Sequence, residues 1–274
     1  MSKRKTIAPL PQLAPGVFAV DSHCHLDMAD YGDCRELVGR AAAAGVRHIV
    51  SVGIDLPSSK AALALALDLP GVVCAVGIHP HHVAEADDAQ YQALAELARQ
   101  PKVKAYGEIG LDYAKSAVPR CVQIRHFARQ VALAQELRLP MIIHDREAHD
   151  DVLAVLRAAG PLAAGGVMHC FSGDMALAET AMTMGFLLSI PGVVTFSKAE
   201  TLHEVARALP LEAMLIETDG PYLTPEPFRG KQNEPAYVLY TAARIAALRG
   251  VSVDEVVRQT TANACKLFAL EGQL

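Results

Sequence analysis

Four histidines and two carboxylates stand at the downstream ends of short apolar runs. Val17-Phe18-Ala19-Val20 leads into Asp21-Ser22-His23-Cys24-His25, and Val103-Lys104-Ala105-Tyr106-Gly107 leads into Glu108. Met141-Ile142-Ile143 leads into His144, Val167-Met168 into His169, and Met214-Leu215-Ile216-Glu217-Thr218 into Asp219. Imidazole and carboxylate are ligands for hard-to-borderline divalent cations. His23 and His25 are two apart, so in an extended segment both point to one face. Glu108 has two carboxylate oxygens and could bridge two cations, and the glycines on either side of it let the backbone approach a site closely. Asp219 could bind metal and also take a proton from a water activated there. Six ligands are more than one catalytic ion needs from a protein, which is usually about three. Two ions about 3.5–4 Å apart would use them all and clamp the attacking and leaving oxygens of a displacement. Taken singly, each residue has a plainer explanation: a polar strand end, a glutamate paired with an arginine, a turn aspartate before Gly-Pro.

Further residues suit contact with an anionic substrate. Gly77-Ile78-His79-Pro80-His81-His82 is histidine-rich but has no carboxylate beside it in sequence, so His79 is assigned to substrate contact and His81 and His82 to a surface loop. Arg146, Arg229 and Lys231 fall in expected loops at the same end, where Arg suits bidentate phosphate contact. Ser172 and Gly173 offer a hydroxyl and a backbone N–H to a phosphate oxygen.

These residues need a scaffold that brings strand ends together. Eight β-like runs are expected, over 17–22, 48–53, 72–77, 103–107, 140–144, 166–169, 186–190 and 214–217. Helical stretches alternate with them, over 33–44, 58–69, 89–99, 122–139, 148–159, 175–184, 199–209 and 235–249, and a last one over 253–270. Alternation of this kind implies parallel βαβ units in an α/β fold. Eight units favour a closed (β/α)8 TIM barrel, whose chemistry lies at the C-terminal strand ends. An open doubly wound sheet is disfavoured because no GxGxxG follows the first run. The ligand positions fall on runs one, four, five, six and eight, and so on one face of such a barrel.

With 274 residues, 51% of them apolar, the chain is long enough for one such barrel, and with no Trp its packing is mainly aliphatic. A formal charge of −5 argues against a surface coated in positive charge for duplex binding. It does not exclude phosphate substrates, because bound cations add local charge. Six scattered cysteines without a CxxC are expected to be reduced. Residues 1–16, with Lys3-Arg4-Lys5 followed by prolines, are expected to form a flexible arm, and residues 17–274 a single domain. Neither a signal segment nor a membrane span is evident, so a cytoplasmic protein with no membrane contact and no obligate protein partner is expected.

Seven ordered motifs resemble the TatD family of metal-dependent hydrolases, among the amidohydrolase-like barrels. They are Asp21-Ser22-His23-Cys24-His25-Leu26-Asp27, Gly77-Ile78-His79-Pro80-His81, Gly107-Glu108-Ile109-Gly110-Leu111-Asp112-Tyr113, His144-Asp145-Arg146-Glu147-Ala148, His169-Cys170-Phe171-Ser172-Gly173, Glu217-Thr218-Asp219-Gly220-Pro221-Tyr222-Leu223 and Arg229-Gly230-Lys231-Gln232-Asn233-Glu234-Pro235. The resemblance implies two or three divalent ions, with Mg, Mn or Zn unresolved. It implies phosphodiester hydrolysis, with DNA as the usual substrate. His23, His25, Glu108, His144, His169 and Asp219 fall on the family's ligand positions, with Glu108 as the bridge, while His79 and Arg146 fall near the substrate. Gln232 replaces a frequent basic residue, and the segment 114–119 lacks the aromatic-rich loop of many members.

The expected activity is a deoxyribonuclease acting on single strands or ends, with Asp219 as general base. Two rivals stay open. One is a metal-dependent hydrolase of another bond, such as an aminoacyl-tRNA deacylase or an amidohydrolase; no lysine ends the fourth run, which disfavours a carbamylated-lysine bridge. The other is a non-catalytic metal-binding scaffold.

Overall fold

A computed structural model describes residues 9–28 and 31–270. Eight strands lie side by side in chain order: β1 (Ala19–Cys24), β2 (Val46–Val52), β3 (Val72–Val76), β4 (Val103–Asp112), β5 (Met141–Arg146), β6 (Gly166–Met168), β7 (Phe186–Ile190) and β8 (Met214–Ile216). Each pairs in parallel with its successor. Between them run α1 (Cys34–Ala43), α2 (Leu56–Asp68), α3 (Asp88–Leu97), α4 (Arg120–Leu137), α5 (His149–Ala159), α6 (Met175–Thr183) and α7 (Glu200–Ala208), with α8 (Val238–Arg249) and α9 (Val253–Phe268) after β8. Side-chain caps start several of these helices. Asp33, Asp55, Asp87, Asp174 and Ser252 each accept a backbone N–H from the first turn, which satisfies donors a helix cannot pair itself.

The sheet closes where β1 meets β8. The amide of Asp219 donates to the His23 carbonyl (2.9 Å), and that of His25 donates to the Gly220 carbonyl (2.8 Å). Below them, Asp21 accepts from the Thr218 amide (2.9 Å) and Ser22 Oγ donates to the Ile216 carbonyl (3.0 Å). The barrel seam is therefore tied at the same residues that carry candidate ligands.

Both faces of the strands are covered, so they read as near-continuous apolar runs. Phe18, Val20, Val50, Val52, Val73, Ala75, Ala105, Ile142, Val167 and Leu215 fill the barrel interior, and Ala264 and Phe268 of α9 pack against this cluster. A second cluster, including Tyr106, Ile109, Phe127, Ile143 and Leu188, lies between strands and helices. On β5 and past the end of β6, simple alternation carries the inward face from Ile142 to His144 and from Val167 to His169. β1 and β4 change parity instead. Val20 and Ala105 face inward, and so do His23 and Glu108, three residues further on. The strand registers shift at those points, between Asp21 and Cys24 and between Tyr106 and Ile109. An extra residue of this kind re-aims the side chains that follow it.

Two glycines let β4 lie tightly on β5. A Cβ on Gly107 would sit 2.7 Å from Ile142 Cβ and 2.7 Å from the Ile142 carbonyl oxygen. Gly110, at φ +148°, would drive a Cβ into the His144 carbonyl.

Most elements fall where the sequence places them, with two differences. β4 and β5 run on past Gly107 and His144 as a pair, with Gly110 opposite His144 and Asp112 opposite Arg146. Cross-strand pairing there overrides the weak strand preference of a glycine-rich segment. The expected helix over 235–249 is a 3₁₀ turn, Pro235–Tyr237, followed by α8. Of the expected N-terminal arm, residues 1–8 lie outside the described residues. Leu10, Leu13 and Ala14 pack against the outer core, and the Ala14 amide donates to Asp254 Oδ1 (3.2 Å). Among the described residues, no helix is long and apolar enough to cross a membrane.

Candidate metal centre

The six predicted ligands converge at the C-terminal mouth of the barrel. The carboxylate of Glu108 lies at the centre with its two oxygens facing different partners. Oε2 is 3.5 Å from His23 Nε2 and 3.8 Å from His25 Nε2, while Oε1 is 2.7 Å from His144 Nδ1 and 3.4 Å from His169 Nε2. Asp219 Oδ1 faces the first side, 3.5 Å from His25 Nε2 and 3.8 Å from His23 Nε2. The donor atoms form compact triplets: His23, His25 and Asp219; His23, Glu108 and His169; His79, Glu108 and His144; His169, Cys170 and Asp219.

His79 is thus closer in than its substrate assignment implies. Its Nε2 is 3.2 Å from His144 Nδ1 and 3.6 Å from Glu108 Oε1, at a distance suited to ligation as well as substrate contact.

The donor set fits divalent cations. His23 and His25 turn Nε2 atoms toward each other at 3.2 Å, a repulsive contact unless a proton or cation lies between them. His23 Nδ1 is buried with no hydrogen-bond partner. Burial opposes charge on His25, yet Asp219 and Glu108 lift its pKa to about 9. Burial likewise opposes charge on His144, which Asp112 and Glu108 raise to about 9, and on His169, which Glu217 and Glu108 raise to about 9. Burial alone would raise Glu108; His79 and His169, with hydrogen bonds from His144 and His23, hold it well below the usual carboxylate range. Burial is likewise outweighed at Asp219, which the histidines hold low. The carboxylates are therefore anionic and draw protons onto imidazoles, which is the demand that metal ions meet.

A second layer holds the histidines, and the sequence reading did not single it out. Asp112 Oδ2 is 3.3 Å from His144 Nε2 and 2.8 Å from His81 Nε2. His81 is therefore exposed but tied to the site, not idle in a loop. Glu217, fully buried, lies with Oε1 3.0 Å from His169 Nδ1, an ion-pair contact without hydrogen-bond alignment, and accepts the Cys170 amide at 2.7 Å. His25 Nδ1 contacts the Val52 carbonyl (2.9 Å). Such outer partners fix the ring orientation of metal-binding histidines. Asp112 was legible in principle, since it follows Glu108 by four residues on the same strand face.

The cluster floors a cavity of about 770 Å³. Arg146 and Ser172 line it, together with Lys115, His149, Tyr222 and Leu223. Arg229 and Lys231 do not. Their cations lie on aromatic rings, Arg229 4.2 Å above Phe196 and Lys231 5.7 Å from Phe228.

A parallel eight-stranded barrel with this histidine–carboxylate cluster at its strand ends defines a metal-dependent hydrolase. The chain belongs to the family of TatD-related DNases, whose family model matches residues 20–269. It is 42% identical over 251 residues to the uncharacterized metal-dependent hydrolase YabD of Bacillus subtilis, covering 91% of this chain and 98% of that one. It is 36% identical over 244 residues to the 3'-5' ssDNA/RNA exonuclease TatD of Klebsiella pneumoniae, covering 87% and 93%. Among solved structures, the TatD homolog YJJV of Escherichia coli superposes with a TM-score of 0.85 at 31% identity, covering 92% of this chain and 98% of the other.

Proposed function

We propose that this hydrolase is a nuclease that cleaves phosphodiester bonds of single-stranded nucleic acid from an end, using two divalent ions. The observation that carries this reading is Glu108. Its two oxygens have different nearest imidazoles, Oε2 those of His23 and His25 and Oε1 those of His144 and His169, an arrangement that suits a carboxylate shared between two cations. His23, His25 and Asp219 would complete one position, and His144 and His169 the other, with His79 beside them. The relative named as a single-strand exonuclease supports the substrate class.

When bound, the ions supply Lewis-acid charge and lower the pKa of water near them. The protein's own groups do the rest. Asp219 is anionic and turned toward the cavity, so it can accept the proton of an attacking water. Arg146 and Lys115 give the cavity positive charge for a phosphate, and Ser172 adds a hydroxyl donor.

The test uses metal-stripped protein with labelled oligonucleotide and charged tRNA side by side. Activity on the oligonucleotide should vanish on chelation and return with Mg²⁺, Mn²⁺ or Zn²⁺, and the ion that restores it best identifies the working metal. Cleavage of the aminoacyl ester alone would replace this reading by the deacylase. A metal-loaded protein inert on both would leave a binding scaffold.

A further inference from the structure

We propose that Arg229 and Lys231, mounted on Phe196 and Phe228, form a distal contact surface for the single strand as it leaves the cavity. The inference rests on the nuclease reading and extends it to nucleotides beyond the one being cleaved.

The surface is joined to the cavity rim through the two segments that carry it. Leu223 and Val193 line the cavity. From Leu223 the chain runs into the loop that carries Phe228, Arg229 and Lys231; from Val193 a 3₁₀ turn, Gly192–Thr195, leads to Phe196. Side-chain bonds pin this loop in place. Thr195 Oγ1 accepts the Glu226 amide (2.9 Å), and Thr224 Oγ1 donates to the Lys231 carbonyl (2.5 Å). Asn233, fully buried, donates through Nδ2 to the carbonyls of Tyr222 (2.6 Å) and Thr218 (2.8 Å). The Asp219 neighbourhood and the loop are thus held as one piece.

The chemistry suits a nucleic-acid strand. Arg229 and Lys231 are both exposed. Neither has a carboxylate within ion-pair distance among the described residues, and the nearby Glu234 is taken by Arg40 (2.8 Å). The Arg229 guanidinium carbon sits 4.2 Å from the Phe196 ring centroid, and a guanidinium held over an aromatic ring can still offer N–H groups to phosphate oxygens. Phe228 is backed by Tyr237, stacked at 4.7 Å, and by Tyr240 at 5.9 Å, so the platform is rigid. Single-strand binders follow the backbone with cations, and here the rings serve to hold those cations in place. A chain with formal charge −5 has little diffuse attraction to offer, so such contacts must be local.

The experiment compares metal-loaded wild type with Arg229→Glu/Lys231→Glu and with Arg229→Ala/Lys231→Ala, on a dinucleotide and on a strand of about twenty nucleotides. Wild type should show a higher kcat/KM on the long strand. The charge reversal should remove that advantage, a fall of about tenfold or more, and leave the dinucleotide rate unchanged. For the alanine pair, the dependence of log(kcat/KM) on log salt for the long strand should become shallower by about 1.4, at ~0.7 per lost single-strand phosphate contact. Equal loss on both substrates, or no loss on either, overturns the proposal. The second of those outcomes would also be met if the surface served an acidic protein. A wild type that cleaves neither substrate overturns the nuclease reading itself, and this one with it.

Discussion

Asp219 combines two demands at one carboxylate: it faces the His23–His25 pair, and its side chain is 14% exposed against 4% for Glu108. The more open of the two is the one that can meet an incoming water. Asp219→Asn keeps the shape and a ligand oxygen but cannot take a proton. It should lower kcat by about 10²–10⁴-fold with little change in KM, the range typical of a lost general base; wild-type turnover on an oligonucleotide would remove Asp219 from that role. Glu217 acts one layer back. Glu217→Gln can still accept the Cys170 amide, so the turn after β6 should stay folded. The charge facing His169 is lost, and affinity for Mn²⁺ or Zn²⁺ should weaken by about 10–100-fold. Titration calorimetry on stripped protein measures this, and an unchanged affinity at unchanged melting temperature would make Glu217 a packing residue only. The six candidate ligands were legible in sequence because each stands at or just past the end of an apolar run. In the second layer Asp112 carried a signal, four residues past Glu108 on one strand face, but its pairing did not: Asp112 and His144 are 32 residues apart, and their contact arises only when β4 and β5 pair. His79 was set apart from the ligands for the same reason, since its carboxylate neighbour Glu108 belongs to the next strand.

At the level of elements, the site depends on two strands breaking their own alternation. The order of strands and helices followed from periodicity and caps, but the parity changes in β1 and β4 did not, because a one-residue register shift leaves no mark on a list of apolar residues. Without the shift in β4, Glu108 would point into the helix layer and His144 would lose its partner. Gly107 is where that strand presses closest to β5. Gly107→Ala meets the Ile142 backbone and Cβ at 2.7 Å, atoms that cannot swing aside, and should cost about 1–3 kcal/mol as overpacking does. It should weaken metal binding as well, since Glu108 and His144 lie on the two strands forced apart. Gly39→Ala is the contrast. It lies within α1 with nothing within 4 Å of an added Cβ, so it should stabilise by roughly 0.5–1 kcal/mol through helix preference alone. Urea midpoints should therefore move in opposite directions. Equal shifts would mean that β4 and β5 have slack the geometry does not show.

The whole molecule carries a formal charge of −5, and its candidate centre gathers buried carboxylates that only protons or cations can offset. This sets a pH dependence whose sign can be worked out. In the metal-free protein His25, His144 and His169 are raised from 6.5 to about 9. A raised imidazole stabilises the folded state fully below its unfolded value, and that contribution is lost as pH rises through about 9. Asp21, pushed by burial from 3.8 to about 8, works in the same direction, because its neutral form is favoured only when folded and the unfolded chain gains by ionising. Metal-free protein should therefore melt at progressively lower temperature from about pH 6.5 to about pH 9. Bound cations use the same imidazoles in neutral form and displace those protons, so their affinity rises with pH. A ligand that binds only the folded state raises its stability in proportion to the logarithm of concentration over Kd. The gap between metal-loaded and chelated melting temperatures should accordingly widen across that interval. Thermal scans with saturating Mn²⁺ and with chelator, at several pH values, measure both curves. If they run parallel, protons and metal do not compete for the same histidines, and the convergence on Glu108 is an ion-pair network rather than a metal centre.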